Sequence, residues 1–142
     1  MAREVFVDTS GLYALADRRD PFHASAKKCA TALVKSGTAL VLTDYIIDEA
    51  CTLARVRAGA REALQLLEIA ERSEAFRMLW VGVERFEAAK AFFRKHADHG
   101  YSFTDCTSLV LMHEMKIRDV LTTDRHFGEA GFRTMLKLSG RS

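Results

Sequence analysis

The chain has 142 residues, of which 49% are hydrophobic and 28% charged, and its formal net charge is +2. This composition excludes a disordered chain, and the length suits one domain with its own core, so we expect a single domain over residues 1–142. Apolar runs such as SLVLM are far short of the roughly 18–20 residues that span a bilayer. The first residues lead directly into a strand pattern without a signal peptide, and the three cysteines form no CxxC pair. These features predict a reduced, cytoplasmic protein that makes no membrane contact.

Short apolar runs alternate with helical patterns along the chain. The predicted strands are 4–8, 39–43, 76–81, 120–124 and, as a weak edge strand, 133–138. The predicted helices are 9–17, 21–37 with Asp20 as N-cap, 44–59, 60–73, 83–98, 102–117 and a short turn at 124–132. This alternation predicts an α/β fold in three layers, with a central, mostly parallel sheet of four to five strands between helices.

Four carboxylates stand at chemically notable places in this pattern. Asp8, Asp105 and Asp124 lie at strand ends or helix starts, and Glu49 lies on the apolar side of a helix. Open α/β sheets bind ligands at the carboxyl ends of their strands, and acids gathered there repel one another unless a cation holds them. We interpret the four acids as catalytic ligands of a Mg²⁺ or Mn²⁺ site that cuts phosphodiester bonds.

Helix capping is the alternative explanation for three of these acids. Asp8 and Asp124 each precede a helix, where aspartate commonly accepts a backbone hydrogen bond. Asp105 ends the segment SFTD, which matches a capping box, and taken alone it is better explained as a cap. The two roles are compatible, because one carboxylate oxygen can cap while the other binds a metal.

Glu49 is the most informative of the four acids. We expect its helix to bury Ile46, Ala50, Leu53 and Ala54. Helical spacing places Glu49 on the same side as Ile46 and Leu53, and Asp48 on the far side. An isolated ionised carboxylate is costly to bury, so Glu49 must meet a cation, take up a proton or reach a cleft. The alternative is a side chain at the edge of the stripe that extends to water or pairs with an arginine.

The segments around these acids, FVDTSGLYAL, TDYIIDEACTLAR, YSFTDCTSLVLMHEMKI and LTTDRHFGEAGF, resemble PIN-domain ribonucleases, and more narrowly the VapC toxins of type II toxin–antitoxin systems. The resemblance implies a single PIN domain with a parallel sheet and an acid pocket that holds one or two Mg²⁺ or Mn²⁺ ions. The matching acids are Asp8, Glu49, Asp105 and Asp124, and nearby hydroxyl groups belong to Thr9, Ser10, Thr104 and Thr123. It further implies an endoribonuclease that acts on single-stranded or looped RNA, often a transfer RNA, with a homodimer and an antitoxin partner.

Basic residues near the acids are candidates for holding the RNA backbone. We select Arg18, Arg55, Arg57 and Arg125, with Arg19, Lys27 and Lys28 as further candidates; ordinary solvated helix faces are the alternative for each. The five histidines show no zinc-type spacing, and only His126 adjoins a proposed ligand.

Three other functions are weighed against the toxin hypothesis. A stand-alone PIN nuclease in RNA processing would have the same site without an antitoxin. A non-catalytic receiver-like signalling domain would need an adjacent acidic pair after the first strand, whereas VFVDTS has one acid there. An aspartyl-nucleophile phosphatase would need DxD, whereas this chain has DTS.

Overall fold

The computed structural model describes residues 3–136 and has the predicted alternation of strands and helices. The strands are β1 Glu4–Val7, β2 Ala39–Thr43, β3 Phe76–Leu79, β4 Asp119–Leu121 and β5 Arg133–Thr134. The helices are α1 Thr9–Ala16, α2 His23–Lys35, α3 Asp44–Ala58, α4 Ala60–Arg72, α5 Gly82–Lys95, α6 Phe103–Met115 and α7 Arg125–Glu129, with one 3₁₀ turn at Ala97–His99. Within the described residues, no helix combines the length and the apolar character needed to cross a membrane.

The five strands form one sheet in the order β3-β2-β1-β4-β5, and every neighbouring pair is parallel. Val5, Phe6 and Val7 of the central strand β1 are fully buried, as are Val41 and Leu42 of β2. Such continuously apolar strands are expected where helices cover a parallel sheet. The α/β fold with a parallel sheet of four to five strands is therefore confirmed.

The strand order places a crevice beside the carboxyl end of β1. Strand β1 pairs with β2 on one side and with β4 on the other, so chain connections diverge from it in opposite directions. Open α/β sheets bind ligands at such a switch point. Asp8 directly follows β1, and Thr122 to Asp124 directly follow β4, so residues more than a hundred positions apart in sequence meet there.

Several predicted boundaries were wrong. The second helix begins at His23, and Asp20 is not its N-cap, because the Asp20 side chain instead accepts a hydrogen bond from the backbone N–H of Phe22 at 2.8 Å. This local turn competes with helix formation in the first predicted turn.

The strand ends were also placed too far along the chain. The third strand ends at Leu79, two residues before its predicted end. The fourth strand covers Asp119–Leu121, so residues 122–124 lie outside the sheet. The fifth strand pairs only at Arg133 and Thr134, at the sheet edge; residues 137–138 of its predicted range lie outside the described residues.

Helix α1 approaches the end of β4 so closely that only glycine fits at position 11. A Cβ atom added at Gly11 would overlap the backbone carbonyl oxygen of Leu121. This contact sets the distance between the N-terminus of α1 and the end of β4, and hence the shape of the crevice.

We expect the substitution Gly11→Ala to lower the free energy of unfolding by about 1–3 kcal/mol, the usual cost of overpacking a close contact. The higher helix propensity of alanine, worth about 1 kcal/mol, does not offset a clash with backbone. Gly128→Ala is the matched control, because its Cβ would meet Thr134 Cγ2 at an ordinary 3.6 Å. Urea unfolding of both variants measures the effect, and equal stability of the two would contradict the close approach.

A buried carboxylate joins three segments at the opposite end of the sheet. Asp119 is 5% exposed and receives hydrogen bonds from Arg3 Nη2 at 2.7 Å and from Arg133 Nε and Nη2 at 2.6 and 3.0 Å. The hydrogen bonds from Arg133 and then those from Arg3 lower the pKa of Asp119. The first strand, β4 and the edge strand β5 are thereby held together by one acid.

We expect Asp119→Asn to lower the free energy of unfolding by only about 1–2 kcal/mol near neutral pH, since solvent screens the two exposed arginines. Because the folded pKa is depressed, this stabilisation is present above the unfolded pKa of about 3.9 and disappears as the pH falls through the folded pKa. The stability difference between wild type and variant should therefore shrink at about pH 3. Urea unfolding at both pH values tests this, and a difference that does not depend on pH would argue against the ion pairs.

Candidate metal centre

The four predicted acids lie on one cleft at the carboxyl ends of β1 and β4. The cleft has a volume of about 500 Å³, and Asp8, Glu49, Asp105 and Asp124 all line it. Thr9, Ser10, Thr123 and Arg57 also line it. Six further lining residues were not selected for the site by sequence reasoning: Tyr13, Asp20, Leu53, Gly100, Ser102 and His126. Tertiary structure thus gathers acids that come from four separate segments.

Asp8 is the most deeply buried of the four, with 4% of its surface exposed. Its Oδ1 accepts hydrogen bonds from the Gly11 backbone N–H at 2.8 Å and from the Ser10 hydroxyl at 2.9 Å, and its Oδ2 accepts from the Thr122 hydroxyl at 2.8 Å. Burial nevertheless raises the pKa of Asp8 to about 7, and the nearby charge of Asp124 adds to this. Three donors therefore do not offset the loss of water, and a nearby cation would favour the charged form.

Two hydroxyl groups connect the ends of β1 and β4. Ser10 donates to Asp8 and accepts from the Thr123 backbone N–H at 2.8 Å, while Thr122 donates to Asp8 and accepts from the Asp124 backbone N–H at 2.9 Å. The Ser10 and Thr122 hydroxyl oxygens also lie 3.1 Å apart. They do not hydrogen-bond to each other, because both hydroxyl hydrogens are already donated to Asp8. Sequence reasoning selected Thr123 for its hydroxyl, but the fully buried Thr122 holds Asp8, and Thr123 contributes its backbone N–H.

Asp105 and Asp124 each cap a helix with one oxygen. Asp105 forms the predicted capping box with Ser102, in which the Ser102 N–H donates to Asp105 Oδ2 and the Asp105 N–H donates to the Ser102 hydroxyl, both at 3.0 Å. Asp124 Oδ1 accepts from the His126 N–H at 2.9 Å and caps α7. Burial, followed by the charge of Asp124, raises the pKa of Asp105. Helix N-termini favour carboxylates, yet desolvation and mutual repulsion outweigh that benefit at Asp105.

Glu49 lies where the apolar stripe of α3 reaches the cleft. Ile46, Ala50 and Ala54 are buried, whereas Glu49 is half-buried and Asp48 is exposed. The Thr9 hydroxyl donates to Glu49 Oε1 at 2.5 Å and so links α3 to the start of α1. Within residues 3–136, Glu49 has no lysine or arginine at ion-pair distance, which removes the alternative of a surface ion pair there.

The tightest group of ligand atoms combines two of the predicted acids with a histidine. One atom each from Asp105, Asp124 and His126 lie within 4.8 Å of one another. His126 Nδ1 is 3.5 Å from Asp105 Oδ2 and 3.4 Å from Asp124 Oδ1. The sequence noted His126 only as a neighbour of Asp124; the D-x-H spacing at a helix start was the signal that could have found it. Asp8 and Glu49 lie outside this tight group but face the same cleft.

The donor set fits a divalent cation such as Mg²⁺ or Mn²⁺. Carboxylate oxygens are the ligands that both ions prefer, and each of the four acids has an oxygen lone pair that no capping or hydroxyl donor uses. The nearest cysteine, Cys106, is buried, and burial raises the pKa of its thiol to about 11. A protonated thiol does not ligate a metal, so the site offers oxygen and imidazole donors.

Of the remaining residues predicted for the site, some line the cleft and others do not. Arg57 lines the cleft, where its guanidinium carbon lies 5.4 Å from the centre of the Tyr13 ring. Arg18, Arg55 and Arg125 are exposed and are not among the residues that line it. Thr104 does not line it either; its carbonyl accepts a hydrogen bond from the Thr107 hydroxyl at 2.7 Å.

The chain is similar to known proteins over most of its length. The sequence matches the PIN domain family over residues 5–133. It is 31% identical to ribonuclease VapC26 of Mycobacterium tuberculosis over 125 residues, covering 87% of this chain and 89% of the relative. It is 33% identical to the 23S rRNA-specific endonuclease VapC20 of the same organism over 129 residues, covering 90% and 95%. The crystal structure of M. tuberculosis VapC20, a sarcin–ricin loop cleaving toxin, superposes with a TM-score of 0.80 at 29% identity over 90% of this chain and 95% of that one.

The family match spans most of the chain, two relatives exceed 30% identity, and the solved structure shares the fold that places the acids at one crevice. This chain belongs to the PIN domain family.

Proposed function

We propose that this protein is a metal-dependent endoribonuclease, the toxin of a toxin–antitoxin pair, which hydrolyses phosphodiester bonds in RNA and thereby inhibits translation. The observation that carries the proposal is the cleft in which Asp8, Glu49, Asp105 and Asp124 converge, each with an oxygen lone pair to spare. Family membership favours a nuclease over the receiver-like and phosphatase alternatives. The relatives named as toxin and as VapC ribonucleases favour a toxin over a stand-alone processing nuclease.

Mg²⁺ or Mn²⁺ would be held by Asp8, Glu49, Asp105 and Asp124, which all line the cleft. When bound, such an ion supplies Lewis acidity, which makes water a better nucleophile and offsets negative charge on the phosphoryl oxygens. The cleft has five acids, including Asp20, and one arginine, Arg57, among its lining residues. Phosphate would be repelled from such a surface unless a cation neutralised part of it.

The protein's own groups hold this arrangement before substrate arrives. The Ser10 and Thr122 hydroxyls fix both oxygens of Asp8, and the Thr9 hydroxyl fixes one oxygen of Glu49. Glu49 lines the cleft, where its second oxygen can orient a water molecule and accept its proton. Arg57 at the rim offers a positive charge for the RNA backbone.

The names of the relatives suggest which RNA to test first. VapC20 is described as cleaving the sarcin–ricin loop of 23S rRNA, so a looped ribosomal RNA is the first candidate substrate for this chain. Transfer RNA remains a second candidate. Loops of this kind expose bases that a protein can contact outside a duplex.

An antitoxin partner, a homodimer and a cytoplasmic site of action are further parts of the proposal. Val56 on α3 and Leu64 on α4 are 79% and 67% exposed, and large exposed apolar side chains on packed helices suit a protein partner. The three cysteines are free, in agreement with a reducing compartment.

We expect Asp105→Asn and Asp8→Asn each to reduce RNA cleavage by at least about a hundredfold, because each removes a charged ligand of the metal. In Asp105→Asn the asparagine oxygen can still accept the capping hydrogen bond, so circular dichroism and the melting temperature without metal should stay close to wild type. Asp8→Asn also places an amide NH₂ group against the Thr122 hydroxyl that donates to Asp8 Oδ2, so we expect this variant to keep the fold with a lower melting temperature. Cleavage of an end-labelled sarcin–ricin stem-loop and of total transfer RNA, with Mn²⁺ present, is the measurement. Asp98→Asn, at an acid with 85% of its side chain exposed, is the matched control. Full activity in both site variants would sink the proposal.

We expect Mn²⁺ to raise the melting temperature of the wild-type protein, because the ion binds the folded state and relieves repulsion among the acids. At a concentration of 100 times the dissociation constant, the stabilisation is about 2.7 kcal/mol. The increase should be absent in Asp105→Asn and retained in Asp98→Asn. Differential scanning fluorimetry across a Mn²⁺ series tests this, and a melting temperature indifferent to millimolar Mn²⁺ counts against the site.

A further inference from the structure

We propose that His126 is an additional ligand of the metal site and that its imidazole makes the site prefer first-row transition ions, such as Mn²⁺, over Mg²⁺. The inference rests on the metal-dependent function proposed above and adds a residue and an ion selectivity to it. It is carried by the position of one ring nitrogen, His126 Nδ1, between two of the proposed acidic ligands.

The local structure brings His126 to this position through the first turn of α7. Asp124 is the N-cap of α7, and the His126 backbone N–H donates to Asp124 Oδ1. The intervening Arg125 is exposed. The His126 ring then reaches back toward the N-terminus of α6, where Nδ1 lies 3.5 Å from Asp105 Oδ2 while remaining 3.4 Å from Asp124 Oδ1. One ring nitrogen therefore faces acids from two helices.

His126 Nδ1 is buried without a hydrogen-bond partner among the described residues. The two carboxylate oxygens are near enough to attract it, but they do not lie in the directions that a hydrogen bond from the ring requires. A buried polar atom without a partner costs free energy, so such an atom usually has a structural or chemical reason. A cation shared by the nitrogen and the two oxygens would satisfy all three atoms at once.

The spacing of the three atoms suits a single ion. Adjacent ligands of an octahedral ion that each lie about 2.1 Å from it are about 3 Å apart. The separations of 3.4 and 3.5 Å from the ring nitrogen to the two oxygens need only a small contraction to reach that value. One ligand atom from each of the three residues also lies within 4.8 Å of the other two. Each capped oxygen also keeps a second lone pair, so coordination does not break the helix caps.

Aromatic packing holds the ring in this orientation. Tyr101 meets His126 edge-on, with ring centres 5.6 Å apart and planes at 89°. The next residue, Phe127, is 1% exposed and anchors α7 in the core. The ring is thus placed before any ion arrives, which lowers the entropy cost of coordination.

The chemical consequence is a change in ion preference. Mg²⁺ favours oxygen ligands and water, whereas imidazole nitrogen suits transition ions better. A site made of carboxylates alone would discriminate little between Mg²⁺ and Mn²⁺, so the more abundant ion would occupy it. Adding one imidazole shifts the balance toward transition ions without excluding Mg²⁺.

The experiment compares Mn²⁺ and Mg²⁺ binding to the full chain as wild type, His126→Asn and His113→Asn. His113 is exposed near the far end of α6 and serves as the matched control. Free Mn²⁺ is quantified by electron paramagnetic resonance, and Mg²⁺ by its competition with Mn²⁺. We expect His126→Asn to lose Mn²⁺ affinity by about tenfold or more, with Mg²⁺ affinity equal to that of His113→Asn. Equal losses for both ions would show a role in charge or packing only and would overturn the inference.

A second readout is made first on the wild-type protein, and His126→Asn serves as its control. Electron spin echo modulation of Mn²⁺ bound to the wild-type protein should show coupling to a ¹⁴N nucleus, and this coupling should vanish in His126→Asn. Mn²⁺ that binds wild type without nitrogen coupling would overturn the inference while leaving the proposed function intact. If Asp105→Asn binds both ions as well as wild type does, the metal site itself is wrong and both proposals fail.

Discussion

The burial of Asp8 at the end of the central strand is the constraint on which the rest of the site depends. A carboxylate with 4% exposure must have its hydrogen bonds supplied by the protein, and the donors come from the start of α1 and the end of β4. Those donors are in place only if α1 approaches β4 closely, which is why glycine stands at position 11. The close packing of α1 on β4 and the hydrogen bonding of Asp8 therefore depend on each other. A change to either disturbs both.

Helix capping and the proposed metal binding are compatible uses of the same side chains. Asp8, Asp105 and Asp124 each cap a helix with one oxygen, and the cap fixes the direction in which the other oxygen points. The three helix N-termini that converge on the cleft also place partial positive charge beside the acids. That contribution is smaller than the cost of burial, because the pKa values of Asp8 and Asp105 are still raised. The fold thus brings the acids together and leaves an excess of negative charge that a cation would neutralise.

The sequence was sufficient for the parts of the structure that local patterns determine. Apolar runs predicted the parallel strands, SFTD predicted a capping box, and the apolar stripe of α3 separated Glu49 from Asp48. It was insufficient wherever a contact joins distant segments. Thr122 and Asp8 are 114 positions apart, and only the adjacency of β1 and β4 makes Thr122 a partner of that acid. His126 was overlooked for the same reason, since its link to Asp105 depends on how α6 and α7 meet.

The distribution of charge in the folded chain resolves an apparent conflict between an acidic site and a nucleic-acid substrate. The formal net charge is only +2, but five acids and a single arginine line the cleft, so the surface elsewhere is more basic than the total suggests. A basic surface attracts RNA over the length of several phosphates, whereas the cleft repels it at short range. A cation bound in the cleft, as proposed, would turn that short-range repulsion into attraction at the scissile phosphate. Substrate approach would then depend on metal occupancy, because the acids that would hold the ion repel the RNA backbone without it.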